Sequence, residues 1–396
     1  MKGNTAVISL VALAHGTSHF FQLVIPPLFP FIKDDLGVSY AALGFVVALF
    51  YAVSGLCQPV AGFVVDRYGA RPVLIGGIGL LAAGTLVAAL AGNYAMLVLG
   101  AAITGVGNSV FHPADFSILN SRIEAEGLGH AYSAHGVAGS LGYAAAPVFS
   151  GTLGALFGWH TALLAAAGVG LGVFALLLAN AQRLHVPVET VARRQSTRQD
   201  LRILLAAPVV MCFLYFAIYA AGLAGLQSFS VSAMTVQYGV PAALASSALT
   251  AYMVGSACGI FAGGFIASRA QRHDFVAAGG LAIGASAMLV IAMGAIPGAA
   301  LPVLLACTGF AVGATGPSRD MIVRSSTPAG ATGRVYGFVY SGLDVGSLST
   351  PVFYGWLMDH DLPQGVFYAA AAFNVLAMLT VLQLPGRKPA AATQRT

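Results

Sequence analysis

The sequence predicts an all-α membrane protein with about twelve transmembrane helices in two pseudo-symmetric six-helix bundles. Composition is the first reason, because 58% of the 396 residues are hydrophobic and only 8% are charged. A soluble domain carries about 25% charged residues, so most of this chain must lie in the lipid bilayer. The net charge of +5 does not indicate a nucleic-acid partner, because the basic residues lie in short loops rather than on one face.

Apolar runs broken by glycine, proline and charge are the second reason. Each run is long enough to cross the hydrocarbon core of a bilayer, which is about 30 Å thick. We expect spans at residues 6–29, 40–65, 72–92, 94–118, 130–155, 160–181, 207–233, 242–268, 275–297, 299–323, 333–357 and 364–385. The polar residues 182–206 are expected to link a bundle of residues 1–181 to a second bundle and short tail in residues 207–396.

An internal repeat is the third reason. A shift of 204 residues places Pro113 on Pro317 and Gly142 on Gly346, and no gap is needed across spans 4–5 and 10–11. Two similar halves related by an axis along the membrane normal predict a central site between them.

The basic residues predict the orientation of the spans. If the N-terminus is cytoplasmic, all of the 18 Lys and Arg residues except Lys33 and Arg319 fall at cytoplasmic loops, ends or tails. Positive charge collects on the cytoplasmic side of membrane proteins. We therefore expect both termini in the cytoplasm of a multi-pass inner-membrane protein.

A short basic hairpin joins spans 2 and 3, with the sequence Gly62-Phe-Val-Val-Asp66-Arg67-Tyr-Gly69-Ala-Arg71. The two glycines allow close helix approach and a sharp turn, and the arginines hold the loop in the cytoplasm. A generic loop would explain the arginines but neither the glycine spacing nor the aspartate. The pattern resembles the signature loop of the major facilitator superfamily of transporters. This resemblance implies that the five numbered residues take part in gating.

Ionisable residues inside spans are costly and are therefore candidates for function. His15 and His19 lie near the middle of span 1, four residues apart and on one helix face. A histidine can take up a proton near neutral pH or donate a hydrogen bond to a substrate oxygen. The alternative is a pair of neutral histidines bonded to neighbouring helices.

Asp344 lies about eleven residues into span 11, near the midplane by the rise of a helix. A carboxyl group held away from water could load and release protons. Otherwise it pairs permanently with a cation elsewhere, but the sequence offers no obvious cation at its depth. Asp344, His19 and Asp115 are the candidate proton-coupling residues.

Span 4 carries Asn108 and Asp115, and span 10 carries Arg319 and Asp320. The repeat places Asp115 and Arg319 at equivalent positions in opposite halves, so we expect them to pair and close the cytoplasmic mouth. Alternatively, Asp320 pairs locally with Arg324, or Arg319 binds an anionic substrate.

Tyrosines on spans 7, 8 and 11 could line a central cavity, although aromatic residues at helical spacing more often serve packing. The candidate substrate-binding residues are His15, His19, Asn108, Tyr219, Arg319 and Tyr340.

Span 4 also contains Gly105-Val-Gly-Asn-Ser-Val-Phe-His112-Pro113, which together with the histidine of span 1 resembles the fosmidomycin-resistance-like exporters. This resemblance implies a small polar or anionic solute. In span 5, Ala146 and Ser150 replace two glycines of a motif typical of facilitator exporters, so the match favours export only in part. The Arg-x-x-x-Gly pattern of proton-driven drug antiporters is absent from span 4.

We therefore expect a secondary transporter that works by alternating access, coupled to protons and favouring export, with one chain forming the path. One alternative is proton-coupled uptake of a small organic acid, and another is a non-transporting receptor or scaffold. The sequence has no phosphate-binding loop, nucleophile elbow or metal-spaced His or Cys cluster. We expect neither an enzyme nor a cofactor.

Overall fold

The structure, a computed structural model, describes residues 2–186, 203–327 and 332–384, and its regular elements there are helical. The sixteen α-helices are α1 (Lys2–Leu23), α2 (Phe29–Leu36), α3 (Tyr40–Tyr68), α4 (Ala70–Ala89), α5 (Tyr94–Asn108), α6 (Phe111–Arg122), α7 (Ala125–Phe157), α8 (Trp159–Ala179), α9 (Ala207–Tyr238), α10 (Ala242–Arg269), α11 (His273–Ala292), α12 (Leu301–Gly313), α13 (Gly316–Ser325), α14 (Thr332–Ser349), α15 (Pro351–Asp359) and α16 (Pro363–Leu382).

Within the described ranges, eleven helical stretches are long and apolar enough to span a membrane. The remaining predicted span, the eleventh at residues 333–357, corresponds to α14 and α15, which are separate helices because Thr350 and Pro351 interrupt the crossing. Proline lacks the backbone N–H that an uninterrupted helix would need there. The prediction of an all-α protein with about twelve membrane helices is confirmed.

Three further predicted spans are not single helices. In the first crossing, α1 ends at Leu23 and a 3₁₀ turn at Pro26–Leu28 leads into α2. In the fourth crossing, α5 stops at Asn108 and α6 begins at Phe111, with Pro113 in its first turn. The tenth crossing is interrupted in the same way between α12 and α13. The interruptions of the fourth and tenth crossings accompany the prolines that the internal repeat aligns.

Helices on each side of the linker pack mainly with one another. Before it, α7 packs along α1, and α4 lies between α5 and α8. After it, α9 packs against α14 and α16, and α10 packs against α12. The two groups meet where α7 contacts α10 and where α3 contacts α14 and α15. Most of the predicted linker 182–206 lies outside the described residues.

The hairpin between the second and third crossings is a single residue long. α3 ends at Tyr68, α4 begins at Ala70, and Gly69 between them has a φ of 86°. A side chain at that φ would be strained, so the turn requires glycine. Arg67 is exposed and stacks its guanidinium over the Tyr68 ring at 5.5 Å. The side chain of Asp66 lies outside the described part, so its gating role stays a prediction.

Among the described residues, the tightest backbone approaches between the two groups of helices lie at one membrane face. We call the face bearing residues 66–71 the hairpin face, and the face bearing Tyr40 and Asp359 the opposite face. At the opposite face, backbones touch so closely that Gly44 against Pro351 and Gly355 against Tyr40 leave no room for a side chain.

Toward the hairpin face the packing is looser. A Cβ atom added at Gly62 of α3 or at Gly264 of α10 would meet no other atom within 4 Å. Within the described ranges, the boundary between the two groups is therefore closed at the opposite face and more open toward the hairpin face.

Candidate functional site

A carboxylate flanked by two imidazoles lies inside the first group of helices. Asp115 of α6 is completely buried, and its Oδ2 atom is 3.1 Å from His135 Nε2 and 3.3 Å from His15 Nδ1. The rings of His15 and His135 are stacked, with their centroids 3.5 Å apart. We call these three residues the His–Asp cluster. It ties α1, α6 and α7 together through side chains.

His19 lies one helical turn from the cluster, with its ring centroid 4.4 Å from that of His15. The rings fit because α7 has glycine at position 139, where a Cβ atom would be 3.0 Å from the His19 ring and 3.1 Å from the His15 ring. On its other side, His19 contacts the ring of Tyr143 at 4.3 Å. The predicted shared face of His15 and His19 therefore points into the helix group.

Amide and hydroxyl groups continue from His19 along a hydrogen-bonded chain. The Tyr143 hydroxyl donates to Gln22 Oε1, Gln22 Nε2 donates to Asn108 Oδ1 at 3.2 Å, and Asn108 Nδ2 donates to Ser54 Oγ at 2.9 Å. Tyr51 is also 3.5 Å from Gln22 Oε1. We call these five residues the amide network. Four crossings contribute to it, and its side chains include both donors and acceptors for a polar ligand.

Asp344 brings a carboxyl group of the second group of helices to this network. It lies close enough to the hydroxyls of Tyr51 and Tyr143 to interact with them electrostatically. Its Cβ atom is also 3.8 Å from the position that a Cβ on Gly55 of α3 would take. Tyr143 therefore contacts the ring of His19 and also interacts electrostatically with Asp344.

Arg319 lies among aromatic rings in the second group of helices. Its guanidinium carbon is 4.8 Å from the ring centroid of Phe216 and 5.3 Å from that of Tyr219. Its Nε atom is buried without a hydrogen bond and lies 3.9 Å from Asp320 Oδ1, a long ion pair. Tyr340 donates a hydrogen bond to the same Asp320 oxygen at 2.7 Å. Tyr340 thus contacts a neighbour of Arg319, and its predicted role in substrate binding stays a prediction.

The predicted pair of Asp115 and Arg319 is not formed in this structure, because each residue is engaged within its own half. Asp115 contacts two histidines, and Arg319 contacts aromatic rings and Asp320. Two residues that are equivalent in the repeat do not meet while the hairpin face is open. Their role as a gate stays a prediction for a conformation that is closed at that face.

Five residues of this site were not predicted from the sequence: His135, Gln22, Tyr51, Ser54 and Tyr143. His135 lies in predicted span 5, so the rule applied to His15 would also have selected it. The polar amide and phenol groups carry no such signal, because isolated tyrosines and glutamines often serve packing. The spacing test for metal ligands also missed the cluster, since its members come from three different helices.

Comparison with known proteins agrees with this architecture. The chain matches the family model of the Major Facilitator Superfamily over residues 11–234 and 220–396. It is 24% identical to the fosmidomycin resistance protein of Escherichia coli, over 95% of this chain and 92% of that protein. It is 26% identical to a "Probable nitrate/nitrite transporter" of Mycobacterium tuberculosis, over 98% of each.

Among solved structures, a bacterial homologue of the human lysosomal transporter Spinster superposes with a TM-score of 0.78 and 17% identity. The match covers 98% of this chain and 99% of the Spinster homologue, so the two share a fold. The chain belongs to the major facilitator superfamily, and it is a secondary transporter.

Proposed function

We propose that the protein moves a small polar or anionic organic solute across the inner membrane, coupled to protons and preferentially outward. One observation carries this proposal: the amide network of the first half meets Asp344 of the second half at a boundary that is open toward the hairpin face. A ligand bound there contacts both halves, so that rocking between them changes its access from one face to the other.

The chemistry of the site favours a polar solute with several oxygen atoms. Gln22, Asn108 and Tyr143 form hydrogen bonds with one another, and a ligand that replaces those bonds loses little. His19, at the edge of the network, adds a ring that can donate to a ligand oxygen. Arg319 supplies the cation for an acidic group, because its planar guanidinium can bind two oxygens of a carboxylate or phosphonate at once.

Asp344 is our candidate for the proton carrier. Among the described residues it has no ion-pair partner within 4 Å, whereas Asp115 has two imidazoles. A carboxyl group that must be reachable from each side in turn is expected at the boundary between the halves. Asp344 faces the amide network at this boundary, since its Cβ atom is 3.8 Å from the position that a Cβ on Gly55 of α3 would take.

Direction and placement follow from the charge pattern and from the relatives. The basic hairpin and linker favour a cytoplasmic hairpin face, with both termini on the same side. The name of the fosmidomycin resistance protein favours export. Residues 1–181 and 207–396 act as the two moving bundles, and a single chain forms the whole path.

Uptake of a small organic acid is the second candidate. Arg319 among aromatic rings suits an anion, and the Mycobacterium relative is named for transport of inorganic anions. A receptor or scaffold has less support, because it would gain nothing from buried ionisable groups on several crossings.

The test is transport by purified protein in liposomes, with radiolabelled carboxylates, phosphonates and neutral polar solutes under an imposed pH gradient. Transport that depends on the gradient, reverses with its sign and is lost in Asp344→Asn supports the proposal. Comparing the two gradient directions separates export from uptake. If no solute moves while a reconstituted control transporter is active, the transport proposal fails.

A further inference from the structure

The His–Asp cluster has the make-up of a metal site. His15, Asp115 and His135 come from three helices, and one potential ligand atom from each lies within 4.8 Å of the other two. Their exposed fractions are 4%, 0% and 5%, so bulk water does not compete at this position. The amide network and Asp344, on which the proposed transport cycle relies, do not need these groups as ligands.

The distances within the cluster suit a small ion. Ligand atoms about 2.0–2.1 Å from a tetrahedral zinc ion lie about 3.3–3.4 Å from one another. The separations from Asp115 Oδ2 to the two histidine nitrogens are 3.1 and 3.3 Å. To bind one ion, the two imidazole rings, whose centroids are now 3.5 Å apart, would have to move apart and turn their nitrogens toward the carboxylate.

Two buried atoms of the cluster lack hydrogen-bond partners, which also favours a bound metal ion. His15 Nδ1 and Asp115 Oδ1 are both buried without a hydrogen-bond partner, although the former lies within ion-pair distance of Asp115 Oδ2. A buried carboxylate is costly unless a positive charge accompanies it. Within 4 Å, the described part of the chain offers it only the two imidazoles.

The ligand set selects the kind of ion. Two imidazole nitrogens and one carboxylate oxygen are typical ligands of zinc and of neighbouring transition metals, whereas magnesium and calcium prefer oxygen ligands. Three protein ligands also leave a fourth coordination position for water or another group.

We propose that His15, Asp115 and His135 bind a divalent transition-metal ion, with zinc as the best match. The bound ion joins α1, α6 and α7 at one point and stiffens the first half of the transporter. The competing interpretation is a neutral histidine pair that hydrogen-bonds the carboxylate and binds no metal.

The experiment uses the full-length protein in detergent, without an affinity tag and stripped of metal by a chelating resin. Cobalt(II) is titrated in, and its visible spectrum reports the coordination geometry. We expect one cobalt ion per chain with the intense bands of a four-coordinate site, displaced by zinc but not by excess magnesium. His135→Gln removes a ligand and should weaken cobalt binding about 100-fold or more. Even the loss of a residue that only hydrogen-bonds a metal ligand lowers metal affinity about 10- to 100-fold.

His160 provides the matched control. Its Nε2 atom is 3.4 Å from Asp35 Oδ2, but both side chains are about half exposed. Among the described residues, no third potential metal ligand lies close to this pair. His160→Ala should leave cobalt stoichiometry, spectrum and affinity unchanged. The proposal is overturned if the wild-type protein shows no four-coordinate cobalt spectrum, or if His160→Ala weakens binding as much as His135→Gln. The cobalt titration of the wild-type protein tests metal binding even if a variant fails to fold.

Discussion

Asp359 caps the N-terminus of α3 across the boundary between the halves, by accepting a hydrogen bond from the backbone N–H of Tyr40 at 2.7 Å. Its second carboxylate oxygen accepts one from Ala41 at 2.8 Å. A negative charge at a helix N-terminus is favourable because of the helix dipole. This contact is a latch at the opposite face that must break when that face opens.

Asp359→Asn should weaken the latch, because the amide nitrogen cannot accept the second hydrogen bond and the charge is lost. A coupling of about 1–3 kcal/mol would shift the populations of the two states about 5- to 150-fold. Ser246 of α10 is buried against Gly151 of α7. The substitution Ser246→Cys, made in a background without the native cysteines, therefore reports on opening of this face. Labelling of this cysteine by an impermeant maleimide should accelerate.

Asp361→Asn is the control for the latch. Asp361 lies in the turn just after Asp359, which is the last residue of α15; it is exposed and has a φ of 55°, which asparagine tolerates. It should leave the labelling rate unchanged. Equal rates in the wild type and in Asp359→Asn would mean that the latch does not influence the conformational equilibrium.

Asp344→Asn should abolish transport driven by a pH gradient but retain exchange of substrate between equal pools. The amide keeps the shape and hydrogen bonding of the side chain but cannot carry a proton. Proton flux is read with a pH dye in liposomes, and exchange with labelled substrate. Asp344→Glu should restore part of the proton-driven transport, and full coupling in the asparagine variant would make the carboxylate structural.

Arg319→Lys should weaken binding of an anionic solute about tenfold or more, because an ammonium group offers neither the planar pair of donors nor the stacking on Phe216. Binding is measured by calorimetry on purified protein. Arg324→Lys, an exposed position on the same helix, is the control. If both variants bind the anion equally well, Arg319 is not the anion site.

Gly139→Ala should disturb His15 and His19, because the added methyl group would stand 3.0–3.1 Å from their rings. We expect weaker substrate and cobalt binding. Gly136→Ala, one turn earlier on the same helix, meets no atom within 4 Å and should stabilise the protein by about 0.5–1 kcal/mol through helix propensity. Thermal unfolding and ligand titrations of both variants check this contrast. Equal ligand affinities would show that the ring contact is not tight.

The number, order and approximate limits of the crossings could be predicted from the sequence because lipid demands long apolar helices. The interruptions after Asn108 and Gly313 could not be located from hydropathy, since Tyr94–Arg122 and Gly298–Ser325 are each long and apolar enough to count as one continuous crossing. Pro113 and Pro317 were visible as repeat partners, but a proline in a membrane helix does not always break it. α7 continues through Pro147.

The candidate site was predicted only in part, for a related reason. Depth along a span can be counted from the sequence, and this identified His19 and Asp344. The partner of a side chain depends on how neighbouring helices are rotated, which a single sequence does not reveal. Asp115 was therefore assigned to Arg319 by symmetry, whereas the structure pairs it with His15 and His135.

The glycines at the two faces offer a simple means to arrest the protein chemically. A single methyl group at Gly44 or Gly355 would obstruct the seal at the opposite face but would be harmless once that face opened. The same methyl group at Gly62 or Gly264 is harmless now and would obstruct only a seal at the hairpin face. Four alanine substitutions thus form two opposing sets of wedges, which could trap each state for structural work or for selecting state-specific antibodies.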